Sequence, residues 1–147
     1  MATYTKLDGF VEHMAEGVHN LGSDTLTVAL SNTAPGSEST PPTGATSACI
    51  LANVTQVSYT NCSSRAITTS TSAQTSGTYK LVLADLTLTA SGGTVGPFRY
   101  VYVYNDTPTS PADPLIAYYD YGSSITLNDT ETFLIDFDGT NGLLQVA

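Results

Sequence analysis

The sequence predicts a mainly β chain, an antiparallel β-sandwich of about seven to eight strands with a short N-terminal helix. Three observations carry that expectation. Apolar and polar residues alternate with period two over much of the chain beyond Thr25, as along strands. Clusters of glycine, proline, asparagine and aspartate punctuate these runs at the spacing of sandwich turns. No helical pattern separates the runs, which argues against a parallel sheet with crossover helices. No repeat of the length used by solenoids or propellers is visible. The expected organisation is one domain over residues 1–147, with a helical segment at 1–22 and a long loop or arm at 32–64.

Residues 6–21 read as a helix. Leu7, Phe10, Val11, Met14, Val18 and Leu21 recur at helical spacing, with Asp8, Glu12, His13 and Glu16 off that stripe. Gly9 and Gly17 weaken it by up to about 1 kcal/mol each relative to alanine. Gly22 is the expected stop. Such a segment either packs on its own sheet or docks on a neighbour. Leu26, Val28 and Leu30 then alternate with Thr27, Ala29 and Ser31, a half-buried strand. Pro35, Gly36, Pro41, Pro42 and Gly44 forbid a strand through residues 32–48. Residues 50–57 fit a short strand or a single turn, and residues 65–70 a strand.

Residues 79–90 form the clearest strand, with Val82, Ala84, Leu86, Leu88 and Ala90 on one apolar face. Ser91, Gly92 and Gly93 make a turn. In the next strand Phe98, Tyr100, Tyr102 and Tyr104 share one face, and Arg99, Val101 and Val103 the other. Both faces carry large side chains. The strand is therefore central, or is covered by something outside its own subunit. Strands at 115–121, 123–127, 131–138 and 143–147 complete the set, with a bend at Gly122 and turns at Asn128 and Gly139.

The charge balance excludes several functions. Thirteen acids stand against four bases, a net charge of -9, and Lys6, Arg65, Lys80 and Arg99 are scattered. A phosphate-binding groove needs clustered cations, so nucleic acid and anionic membrane surfaces are not expected partners. No apolar run is long enough to span a membrane. Residues 1–20 lack the charged-then-apolar order of a leader, so synthesis in a cytosol is expected. Cys49 and Cys62 are too few for a disulfide framework and are expected to be free thiols inside a cell.

No catalytic residue, metal ligand or cofactor is assigned. His13 and His19 lie six apart on the predicted helix and point to different sides. Residues 136–142 resemble the start of a calcium loop, but Ala147 stands where the bidentate acid belongs, so a strand end entering a glycine turn is expected. Asp120, Asp129 and Glu131 fit ordinary strand-end acids better than a glycosidase pair. The tyrosines are the serious candidates, because a broad apolar face with a polar tip suits interfaces and sugar stacking. The expected interface combines Leu7, Phe10, Val11, Met14 and Val18 with Tyr100, Tyr102, Tyr104, Tyr119 and Tyr121.

Several strings resemble known proteins. They are His19-Asn20-Leu21-Gly22-Ser23-Asp24-Thr25-Leu26, Ala29-Leu30-Ser31-Asn32-Thr33-Ala34-Pro35, Gly77-Thr78-Tyr79-Lys80-Leu81-Val82-Leu83-Ala84-Asp85, Gly96-Pro97-Phe98-Arg99-Tyr100 and Tyr119-Asp120-Tyr121-Gly122-Ser123-Ser124. They look like small virion structural proteins of tailed bacteriophages. The likeness touches most of the chain and departs between about Pro35 and Asn61. It implies a non-enzymatic virion component made in the host cytoplasm, with capsid decoration (cement) as the chosen role. The implied partner is the major capsid protein, and the implied assembly a homo-oligomer, with a trimer favoured. A tail or fibre component binding host surface glycans is the alternative.

Overall fold

The structure, a computed structural model, describes residues 2–147. It is mainly β and antiparallel, with ten strands among the described residues where seven to eight were expected. In chain order these are β1 (Thr3–Lys6), the helix α1 (Asp8–Ala15), β2 (Leu26–Ser31), β3 (Ala66–Ile67), β4 (Thr69–Thr75), β5 (Thr78–Leu83), β6 (Leu86–Thr89), β7 (Val95–Asn105), β8 (Leu115–Leu127), β9 (Thr132–Ile135) and β10 (Leu144–Val146). A five-stranded sheet ordered β1-β8-β7-β2-β3 faces two smaller sheets, β10-β5-β4 and β6-β9. Leu26, Val28, Leu30, Val101, Val103 and Ile116 of the large sheet meet Leu81, Leu83, Leu88, Ile135 and Leu144 of the small ones in the main core.

The N-terminal segment departs from the helical expectation at both ends. Thr3–Lys6 is a strand, paired with β8 from Thr3 opposite Asp120 to Lys6 opposite Ala117. The helix stops at Ala15, and Gly17 rather than Gly22 ends it, at φ 77°. That left-handed conformation suits glycine and closes the last turn. Val18 and Leu21 continue the apolar spacing on a returning segment, not on the helix. Leu7 and Phe10 are buried in this chain's own core clusters, so the helix packs on its own sheet, while Val11 stays exposed.

Strand parity breaks twice. Residues 79–90, expected as one strand, are two, and they belong to different sheets. Leu81 and Leu83 point inward before the break at Ala84 and Asp85, Leu88 and Ala90 after it. The odd-to-even switch defeats any single alternating face. The second break is at Arg99. Phe98 pairs with Ile125 and Tyr100 with Asp120, so one residue of β7 spans four of β8. This bulge puts Phe98 in the main core with Val101 and Val103, away from the tyrosines it was expected to join. Arg99 sits at the bulge and holds Asp120 through two bonds, Nε to Oδ1 at 2.7 Å and Nη2 to Oδ2 at 2.9 Å.

The outer face of the large sheet is also buried. Tyr100, Tyr102, Tyr104, Ala29 and Leu115 pack under Cys49, Leu51 and Val54. The segment from Ala34 to Val54, within the loop or arm expected at 32–64, lies as a strap across the tyrosine face. Cys49 O accepts from Leu115 N, Asp113 O from Leu51 N, and Leu30 O from Val57 N, so the strap's backbone is paired without being a regular strand. Two 3-10 turns, Thr46–Ala48 and Leu51–Asn53, shape it. Glu38 fastens it by accepting from Thr55 N at 2.8 Å and Thr55 Oγ1 at 2.6 Å. β2 is therefore buried along its whole length, not half-buried as expected.

Gly9 explains why a weak helix former sits in α1. A Cβ built there falls 2.5 Å from Cys49 Cβ, where the helix meets the strap. Alanine would gain up to about 1 kcal/mol of helix propensity but overpack a closed contact, which costs about 1–3 kcal/mol. Gly9→Ala is expected to lower the thermal midpoint by a few degrees, although the same change stabilises most helices; calorimetry checks this. Tyr102 is fully buried and its hydroxyl has no hydrogen-bond partner among the described residues. Tyr102→Phe removes that desolvated group and is expected to leave stability unchanged or raise it by up to about 1 kcal/mol, measured by urea denaturation.

Candidate docking groove at the open sheet edge

β1 is an edge strand of the large sheet, and β9 and β10 are edge strands of the small ones. β1 pairs with neither, so a slot remains along this side of the sandwich. Three cavities follow it. The first, about 310 Å³, lies among Tyr119, Tyr121, Phe133, Leu134 and Asp136. The second, about 710 Å³, lies among Tyr4, Lys6, Asp138 and Gln145 and shares Ala2, Tyr119 and Asp136 with the first. The third, about 290 Å³, lies among Val11, Met14 and Val146 and shares Lys6, Leu144 and Gln145 with the second. Together they form one continuous groove.

The large hydrophobic side chains left exposed among the described residues all line it. They are Tyr4, Val11, Tyr121 (46% exposed), Leu134 (56% exposed) and Val146. Aromatic contacts root this wall in the core: Tyr4 to Tyr119 at 5.3 Å, Tyr121 to Phe133 at 5.7 Å and Phe133 to Phe98 at 5.3 Å between centroids. Scattered apolar surface is ordinary, but apolar surface gathered in one groove marks a site of contact.

Two carboxylates flank the groove. Asp136 makes no hydrogen bond or ion pair among the described residues. Asp138 is organised by its own turn, accepting from Thr140 N at 2.8 Å, Asn141 N at 2.7 Å and Asn141 Nδ2 at 2.8 Å. Those donors hold its carboxyl below the usual carboxylate range. Burial pushes the Tyr119 hydroxyl above its ordinary value, with Tyr4 and Asp138 adding to the effect. The turn that resembles a calcium loop thus spends the Asp138 oxygens internally. Among the described residues no three metal-capable side chains converge.

The expected interface residues fall into two sets. Tyr100, Tyr102 and Tyr104 lie under the strap, and Leu7 and Phe10 lie in core clusters, so these five are corrected to internal contacts. Val11, Met14, Tyr119 and Tyr121 line the groove, while Val18 is half-buried and lines none of its three cavities. Tyr4, Leu134, Asp136 and Val146 went unselected in the sequence. Leu134 carried a readable signal: it is apolar on the face of β9 opposite Phe133 and Ile135. The three acids considered for glycoside chemistry are tied into local structure. Asp120 binds Arg99, Asp129 accepts from Gly92 N, and Glu131 accepts from Asn128 N. Both cysteines are free, and burial pushes the Cys49 thiol up to about 11.

His13 and His19 correct a further expectation. Because the chain reverses at Gly17, the two rings meet at 6.1 Å between centroids. Asn105 Nδ2 bonds Asp24 Oδ2 at 2.6 Å and lies 3.2 Å from His19 Nδ1. An amide nitrogen only donates, so His19 Nδ1 accepts and the ring is neutral. Burial, then His13, pulls the His19 pKa down to about 4, against an upward pull from Asp24. Its folded value lies below the ordinary 6.5, so the unfolded chain binds more protons in that window. Stability should therefore be complete above about 6.5 and fall as pH drops toward about 4. In His19→Gln this dependence flattens, as thermal unfolding across a pH series will show.

No protein-family model, no curated protein and no solved structure matches the chain. No helix among the described residues is long and apolar enough to cross a membrane.

Proposed function

We propose that this chain is a non-enzymatic structural protein of a tailed-bacteriophage virion, a decoration (cement) protein that binds the outer surface of the major capsid shell. The observation that carries this reading is the groove. A polar, acidic β-body gathers its exposed large apolar side chains along one side, as a tile held by one neighbour requires. The strings that resemble those of small virion proteins supply the setting. Asp120, Asp129 and Glu131 are engaged in turns and a bulge rather than paired across a cleft. The Tyr121 cavity with Asp136 beside it also suits sugar stacking, which favours a tail or fibre component binding host glycans as the second reading.

Copy number separates the two. In purified particles a decoration protein is expected at a stoichiometry comparable to the major shell protein, spread over the capsid surface in a particle map. A tail or fibre protein is present in far fewer copies at one vertex. Particles depleted of a decoration protein should lose resistance to heat. Absence from mature particles overturns the proposal. Sedimentation of the free protein measures whether the implied trimer forms before the shell is reached.

A further inference from the structure

We propose that the groove is a strand-acceptor site: an extended, basic segment of another protein chain pairs with the outer edge of β1 and seats one large apolar side chain beside Tyr121 and Leu134. It rests on the reading above only where the donor is taken to be the shell protein. β1 is bonded to β8 on one side, and no ladder partner lies on its other side among the described residues. An unpaired edge is a template for strand addition. Natural sheets blunt such edges with proline, charge, bulges or extreme shortness. β1 has no proline or bulge, and its one charge is Lys6 at its end. The opposite edge of the same sheet, β3, is blunted, being two residues long.

The groove also selects the chemistry of the donor. The first cavity, at about 310 Å³ and walled by Tyr119, Tyr121, Phe133 and Leu134, is the size of a small binding pocket and takes an aromatic or branched anchor. Asp136 borders both the first and second cavities with no cation on it among the described residues, and Asp138 stands further along. Lys6 is the one base lining the groove among the described residues. Arg99 is held by Asp120, and Lys80 donates to Thr140 O. A second copy would bring a further net charge of -9 to this edge. A cationic donor is attracted by the same field that repels another copy.

The test uses the full chain and two synthetic alternating peptides. One carries lysines around a central phenylalanine; the other has glutamates in place of the lysines. Fluorescence anisotropy is expected to show the lysine peptide binding at least about tenfold more tightly than the glutamate peptide. Hydrogen exchange should slow at Thr3 to Lys6 on binding. Leu134→Glu should weaken binding by about tenfold with the fold intact, since that side chain is exposed. Asp136→Lys should narrow or reverse the preference between the peptides. Equal binding of both peptides, no binding, or binding without protection of β1 overturns the proposal. So does protection of β1 that rises with the protein's own concentration, which would make a second copy the occupant. Uptake of Asp136→Lys onto particles at the normal level sinks the groove and spares the shell reading. Charge-selective peptide binding by a protein absent from particles does the reverse.

Discussion

Burial of the central strands on both faces is the constraint from which the rest of this structure follows. β2 and most of β7 have no solvent side. A sheet of that kind needs two covers. The small sheets supply the inner one, and the 34–54 strap supplies the outer one. Each buried tyrosine removes on the order of 150–250 Å² from water, so the strap rests on a strongly apolar floor despite lacking regular structure. Its cost lies in backbone polar groups, which a loop over a sheet must satisfy. Bonds to residues 30, 113 and 115 do so. Beyond its C-terminal end Arg65 stacks on Tyr59 at 3.7 Å, and the Tyr59 hydroxyl accepts from Leu30 N at 2.8 Å. The strap is thereby sewn to β2.

Alternation in the sequence reveals the strands wherever a strand keeps its parity. It misleads at Arg99 and at Ala84 and Asp85, where a bulge and a break turn the next side chain to the other face. Helical spacing overreaches at Val18 and Leu21, because an apolar period does not register that Gly17 has already ended the helix. The pairing of His13 with His19 is invisible for the same reason. The two-faced tyrosine strand announces that a cover is needed. It does not announce that the cover is its own chain, since Cys49, Leu51 and Val54 follow no period.

The groove was the least legible feature. Its walls come from β1, the middle of β8, β9, β10 and α1, which no local pattern joins. It exists because β1, at the edge of the large sheet, bonds to neither β9 nor β10 at the edges of the small ones. The same strands that bury the tyrosines thus leave Tyr4, Tyr121 and Leu134 showing. In this sense the interior and the contact surface have one origin, two packed layers whose edge strands on this side do not pair.

The pairing of Thr3 with Asp120 has a temporal consequence. On a ribosome, β1 emerges roughly a hundred residues before the strand it needs, and elongation at about 5–20 residues per second leaves it waiting for seconds. Its single ladder cannot form until β8 has been made. Until then this rim of the sheet stays open to whatever chain passes.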